Sequence, residues 1–274
     1  MTVSPSAATT MLHALVLQLT PPPGTPPPQT IRGDGVQALV LDLFRRADPA
    51  LAEQLHIAHT TRPFTVAVLP SAGPQILLRV GLVGAADLLG GLAQALFALG
   101  TNHTLRLGTT PLALQAALGT PESHPWAGYT ALADLVAAVR PSYAVTLEFA
   151  TATAIAQRGR SDGKDRLALL PVPTIIFKSL ARRWNELIGP EPLLDPAQIE
   201  QWADDVLVSD YQLRSTQIDL GKGPQKGFVG RCTYELPSAG QAARALTLLA
   251  DAAFYLGVGG KTARGMGLCR RVQR

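Results

Sequence analysis

The sequence predicts an α+β fold made of two tandem ferredoxin-like (RRM-like) domains, each running β-α-β-β-α-β. Three observations carry that expectation. Apolar runs of strand length alternate with stretches of helical periodicity in that order, and the order occurs twice. Pro141 falls between the two passes and sets the expected domains at 1–141 and 142–274. The 274 residues, 47% hydrophobic and 16% charged, suffice for two ordinary cores.

"MLHALVLQL" (11–19) reads as the first strand, and "TPPPGTPPPQT" after it as a stiff loop. Val36, Leu39, Val40, Leu43 and Phe44 share one helical face until "ADP" breaks the pattern, and "ALAEQLH" makes a second short helix. "PFTVAVL" (63–69) and "QILLRVGLV" (75–83) are strands joined by "PSAGP". A helix over 85–99 leads to "HTLRLG" (103–108), the expected closing strand, and a further helix spans 128–139. The second pass begins with the strand "YAVTLEFA" (143–150) and a helix over 174–188. A hairpin pair at 211–220 and 227–236, a helix over 239–255 and a final strand over 266–272 complete it.

Residues 80–100 approach membrane-span length, but Asp87, Gln94 and several glycines interrupt them, so a buried strand feeding a buried helix is expected. No basic segment followed by an apolar run opens the chain, so no signal peptide is expected. Cys232 and Cys269 give neither a disulfide framework nor metal-ligand spacing, and a reducing cytoplasm is the default compartment.

The net charge of +4 is unevenly placed. Residues 1–145 hold seven basic and seven acidic side chains, whereas 146–274 hold 17 and 13. Lys261, Arg264, Arg270, Arg271 and Arg274 lie in 256–274 without a single acid. Such a field suits a polyanion such as nucleic acid; the alternative is a basic tail that aids solubility.

"GGKT" at 259–262 looks like a P-loop, G-x-x-x-x-G-K-[ST], but the required first glycine falls on Tyr255. The segment also follows a helix and enters a strand, the reverse of a P-loop. A second pattern fits without a gap: Gly257-Val258-Gly259, five residues, then Gly265-Met266-Gly267, with Gly260 making five glycines in eleven residues. Glycines at that density permit left-handed backbone and close approach, and their N–H groups are expected to form an anion-binding nest. Lys261 and Arg264 would flank a sugar–phosphate backbone held there. A helix C-cap plus a tight turn explains one or two of these glycines only.

This glycine pattern, near the end of two ferredoxin-like halves, resembles that of the CRISPR-associated repeat-processing endoribonucleases of the RAMP group. "LAEQLHIAHTTRPFTVAVL" (51–69) is similar to the family's N-terminal segment, where Leu-His precedes a basic–Phe-Thr strand. "LPVPTIIFKSLARRWNELIGP" (170–190) resembles its proline-flanked helix ending in Arg-Trp-Asn. The glycine loop alone is shared with related structural subunits; the histidine segment points to the nuclease.

The resemblance implies metal-independent cleavage of CRISPR repeat RNA by 2′-hydroxyl attack, leaving 2′,3′-cyclic phosphate and 5′-hydroxyl ends, with the guide retained and no cofactor. It implies repeat RNA as partner, leaves room for a CRISPR effector complex, and fits a monomer or a homodimer. The alternative is a non-catalytic RNA-binding subunit of the same superfamily. Such cleavage needs proton transfer, for which histidine is suited, and a cation at the phosphorane. His56, His59 and Arg62 supply both within seven residues. His56 matches the family's Leu-His, His59 is its rival one helical turn on, and Arg62 stands where a lysine is frequent; its plain reading is a surface arginine beside a strand. Some relatives carry a tyrosine on the first helix, and here Leu41 lies near that place. RNA contacts are expected from Arg158, Arg160, Lys164, Arg166, Arg182 and Arg183 besides Gly257, Gly259, Gly260, Lys261, Arg264, Gly265 and Gly267. Arg182 and Arg183 read equally as charges answering a helix dipole. Trp184 reads as core, and no aromatic signature for base stacking on a sheet is present.

Overall fold

Where the chain turns from one element to the next follows from local chemistry, most clearly at Asp48-Pro49. The structure, a computed structural model, describes residues 10–28, 30–57, 61–71, 73–84, 86–98, 104–157, 166–189, 194–237 and 240–272. Helix α1 (Gly33–Ala47) stops because the residue before a proline avoids helical backbone, and Asp48 is extended at φ −146°, ψ 102°. Asp48 Oδ1 then accepts from the N–H groups of Ala50 at 2.9 Å and Leu51 at 3.0 Å, capping α2 (Pro49–Ile57) with proline at its first position.

Two compact units divide the chain at Leu132/Ala133, and each is a ferredoxin-like fold. In the first, strands β1 (Met11–Thr20), β2 (Phe64–Leu69), β3 (Ile76–Gly84), β4 (Leu105–Leu107) and β5 (Thr110–Leu118) lie in the order β2-β3-β1-β5-β4. Helix α3 (Ala86–Ala98) follows β3. Leu17 and Leu19 of β1, Val66 of β2 and Leu78 and Val80 of β3 form one core with Val36, Leu39, Val40, Leu43 and Phe44 of α1. The described part of 80–98 comprises the end of β3 and α3, and no helix among the described residues is long and apolar enough to cross a membrane.

Two expectations change here. The strand expected at 103–108 contributes only three residues, which turn back across Gly108 at φ +62°; β5 fills the fourth ferredoxin position beside β1. The helix expected at 128–139 opens as strand β6 (Gly128–Ala131), which pairs Tyr129 with His13 of β1 before α4 (Leu132–Ala138) begins. Tyr129 and Thr130 are good strand formers, and a partner edge was open to them.

In the second unit the order is β10-β11-β7-β12, from β7 (Ala144–Thr153), β10 (Leu207–Asp219), β11 (Pro224–Glu235) and β12 (Cys269–Val272). A small hairpin of β8 (Ile155–Gln157) and β9 (Arg166–Ala168), and helices α5 (Pro173–Ile188), α6 (Pro196–Asp204) and α7 (Gly240–Leu256), complete the unit. Phe177 and Tyr234 meet edge-on at 5.6 Å, as do Phe149 and Phe228 at 5.0 Å, and Trp184 is fully buried, as expected of a core residue. Helix α6 and the β8–β9 hairpin were not foreseen. Two short pieces of the C-terminal half, 219–224 and 263–265, belong to the first unit.

Candidate functional site

Helix α2 places His56 in its last turn with the imidazole exposed. Arg62 reaches back to that turn: its Nε donates to the Leu55 carbonyl at 3.1 Å and its Nη2 to the His56 carbonyl at 3.2 Å. The last carbonyls of a helix have no intrahelical donor and carry its negative end, so a guanidinium is a natural cap. Arg62 is therefore neither a loose surface arginine nor paired to a carboxylate among the described residues. His59 lies outside the described residues.

Arg264 comes to the same unit from the far end of the chain. It sits at the end of a 3-10 turn, Thr262–Arg264, whose Ala263 is buried in the first core. Arg264 Nε donates to Gln37 Oε1 on α1 at 3.0 Å. Gly33, one turn earlier on that helix, makes the approach possible: a Cβ there would stand 2.3 Å from the Arg264 carbonyl oxygen. Burial first, and the charge of Arg264 second, push the Arg62 guanidinium below the usual arginine range. Two guanidinium groups thus share one neighbourhood, and neither has an acidic partner among the described residues. Such a pair favours an anion between or beside them.

The glycine loop differs from the nest expected of it. The N–H of Gly257 donates to Ala253 O, Val258 to Gly267 O, Gly259 to Ser179 Oγ, Gly260 to Ala154 O and Gly267 to Ala152 O. Those five donors are spent inside the protein, so they cannot receive phosphate. The glycines serve close packing instead. Gly259 is at φ +78° and a Cβ on it would lie 2.5 Å from Ala154 O; Gly267 is at φ +72° and its Cβ would lie 2.1 Å from Val258 O. Gly265 also takes the left-handed backbone, and the strand expected from 266 starts only at Cys269, because Met266 and Gly267 close the loop. Gly260, whose Cβ position opens on space, and Lys261, whose Nζ donates to Gln225 Oε1 at 2.7 Å, are exposed.

The helix α5 arginines part company. Arg182 is exposed and has no partner among the described residues. Arg183 is only 8% exposed, and its Nε and Nη2 both donate to the Leu256 carbonyl, at 2.9 and 2.7 Å. Burial lowers its pKa to about 10. It holds the end of α7, where the glycine loop begins, and presents no charge to a ligand; the expected RNA contact is corrected to an internal brace. Ser179, one turn before it, takes the loop's Gly259 N–H, a role that sequence reading missed. Arg166 is exposed on β9, while Arg158, Arg160 and Lys164 lie outside the described residues. Gln37, also missed, is buried and touches the loop; its place on the helix face of Gly33 was the available signal.

A family model for the CRISPR-associated endoribonuclease Cas6 matches residues 147–269. A Cas6 of Mycobacterium tuberculosis is 29% identical over 125 residues, which is 45% of this chain and 37% of that relative's length. Among solved structures, a Cas6 product complex is similar at a TM-score of 0.85 and 32% identity, over 96% of this chain and 99% of that one. Cas6 of Thermus thermophilus is similar at 0.75 and 31% identity, over 97% and 100% respectively. Two halves of matching topology, the loop of glycines and the full-length structural likeness agree: this chain belongs to the Cas6 family of CRISPR-associated endoribonucleases.

Proposed function

We propose that this chain cleaves CRISPR repeat RNA without a metal ion and keeps the processed product. The observation that carries the reading is Arg62, which caps the turn that bears His56, with the charge of Arg264 acting on it and no acidic partner for either among the described residues. In the reaction the 2′-oxygen loses its proton and bonds to the adjacent phosphorus, and the bond from phosphorus to the 5′-oxygen breaks. The 5′-oxygen takes up a proton, leaving a 2′,3′-cyclic phosphate and a 5′-hydroxyl. His56 moves one of those protons, the general acid–base role that histidine fills most often. Arg62 and Arg264 meet the charge that builds on the phosphorane, where fixed donors act most strongly. Lys261 and Arg182 add contacts to the RNA backbone that carry no base information.

Repeat RNA incubated with the protein in EDTA should be cut to those ends, and His56→Ala should slow single-turnover cleavage by about 10²–10⁴-fold. RNA affinity of that variant should stay within a few-fold of wild type. Tight binding without cleavage by the wild type would identify a non-catalytic RNA-binding subunit. Cleavage at the wild-type rate by His56→Ala would move the role to another residue, His59 first.

A further inference from the structure

Among the described residues, one buried side-chain atom lacks any hydrogen-bond partner: Nε2 of Gln37. The side chain is 7% exposed, and its other end, Oε1, accepts from Arg264 Nε. A buried amide donor without an acceptor is unfavourable and calls for a reason. Turning the amide end for end does not relieve it, since the NH2 would then face another donor and the bond to Arg264 would be lost. An apolar side chain of equal length would remove the orphan altogether. Retaining glutamine therefore serves the arginine rather than the core.

The geometry around the arginine is equally one-sided. Gly33 and Gln37 are one turn apart on α1. The first admits the Arg264 backbone, since a Cβ would stand 2.3 Å from its carbonyl oxygen, and the second holds its Nε. With Nε fixed, the guanidinium plane is fixed, and neither Nη has a partner among the described residues. That fork matches two oxygens of a phosphate.

We propose that Gln37 is a positioning residue: it locks Arg264 so that both Nη groups face the scissile phosphate. This rests on the cleavage reading above. Gln37→Met, with Gln37→Leu as a second variant, is compared with wild type, Arg264→Ala and the double variant by melting temperature, repeat-RNA affinity and single-turnover rate. The expected result is a melting temperature equal to or above wild type, with a rate at saturating RNA roughly tenfold or more lower. In the Arg264→Ala background the same change should cost nothing further. A merely structural role would lower melting temperature and rate together, and that outcome overturns the proposal. So does a rate within about twofold of wild type, or an equal loss in both backgrounds. If the wild type binds repeat RNA without cutting it, the cleavage reading fails by itself. The four affinities then decide the positioning role by the same test: non-additive losses support it and additive losses overturn it.

Discussion

The two units share a strand order and differ in how they hold their cations. In the second, which carries most of the net positive charge, the arginines are largely engaged within the fold. Glu148 binds Arg270 at 2.7 Å and Arg231 at 3.1 Å, Asp251 binds Arg271 at 3.0 Å, Lys178 pairs with Glu200, and Arg183 braces Leu256. Exposed cations without a partner among the described residues remain at Arg182, Arg214 and Lys226. The first unit has a net charge of only +1 and yet holds Arg62 and Arg264 with no acidic partner among the described residues. Total charge therefore says little about where an anion binds. What matters is which cations the fold leaves uncompensated.

The sharpest test of that contrast is Arg62→Ala, which should slow single-turnover cleavage by about 10²-fold, the usual effect of losing one fixed donor at a developing charge. Arg62→Lys should recover part of the rate while losing the double contact to Leu55 and His56. An Arg62→Ala rate near wild type would erase the distinction between the units.

Next in size is a paired test in the second unit. Arg183→Ala leaves the buried Leu256 carbonyl without its donors and should lower stability by about 1–3 kcal/mol in denaturant unfolding. The salt dependence of RNA binding should not change. Arg182→Ala should do the reverse, leaving stability within about 0.5 kcal/mol and reducing the slope of log K against log salt by about 0.7–0.9. Interchanged results would restore Arg183 as a contact.

The smallest effect is expected at Glu148. Burial alone would raise its carboxyl, but the hydrogen bonds from Arg270 and then Arg231 outweigh it and hold the group below the usual carboxylate range. A carboxyl lowered on folding stabilises above its unfolded pKa, and that stabilisation fades as pH falls through the folded value. Glu148→Gln should thus cost about 1 kcal/mol at pH 7 and make the acid limb of the stability profile shallower. An unchanged acid limb would mean that this cluster is solvated and not structural.

The double βαββαβ order was legible because helical and alternating periodicities were strong and occurred in sequence. β5 was missed since "TPLALQAAL" reads equally as helix, and its pairing with β1 is a long-range fact. Arg183 could have been placed: Ile176, Leu180 and Arg183 fall on one helical stripe, whereas Arg182 falls off it. The use of the glycines could not. Whether an N–H is left for a ligand depends on acceptors at Ala152, Ala154 and Ser179, distant in sequence. His56 and Arg62 were visible as types of residue, but the cap that Arg62 makes and its coupling to Arg264 are properties of the folded chain.

Ala263 fills part of the first hydrophobic core and Arg264 rests on α1, although both are encoded after the last helix of the second unit. A nascent polypeptide emerging from the ribosome must hold an unfinished first unit until the second unit's last helix has been made. The first unit is thereby completed only after most of the second has been synthesised, and a gene cut between the halves would leave the first fragment without Ala263 and Arg264.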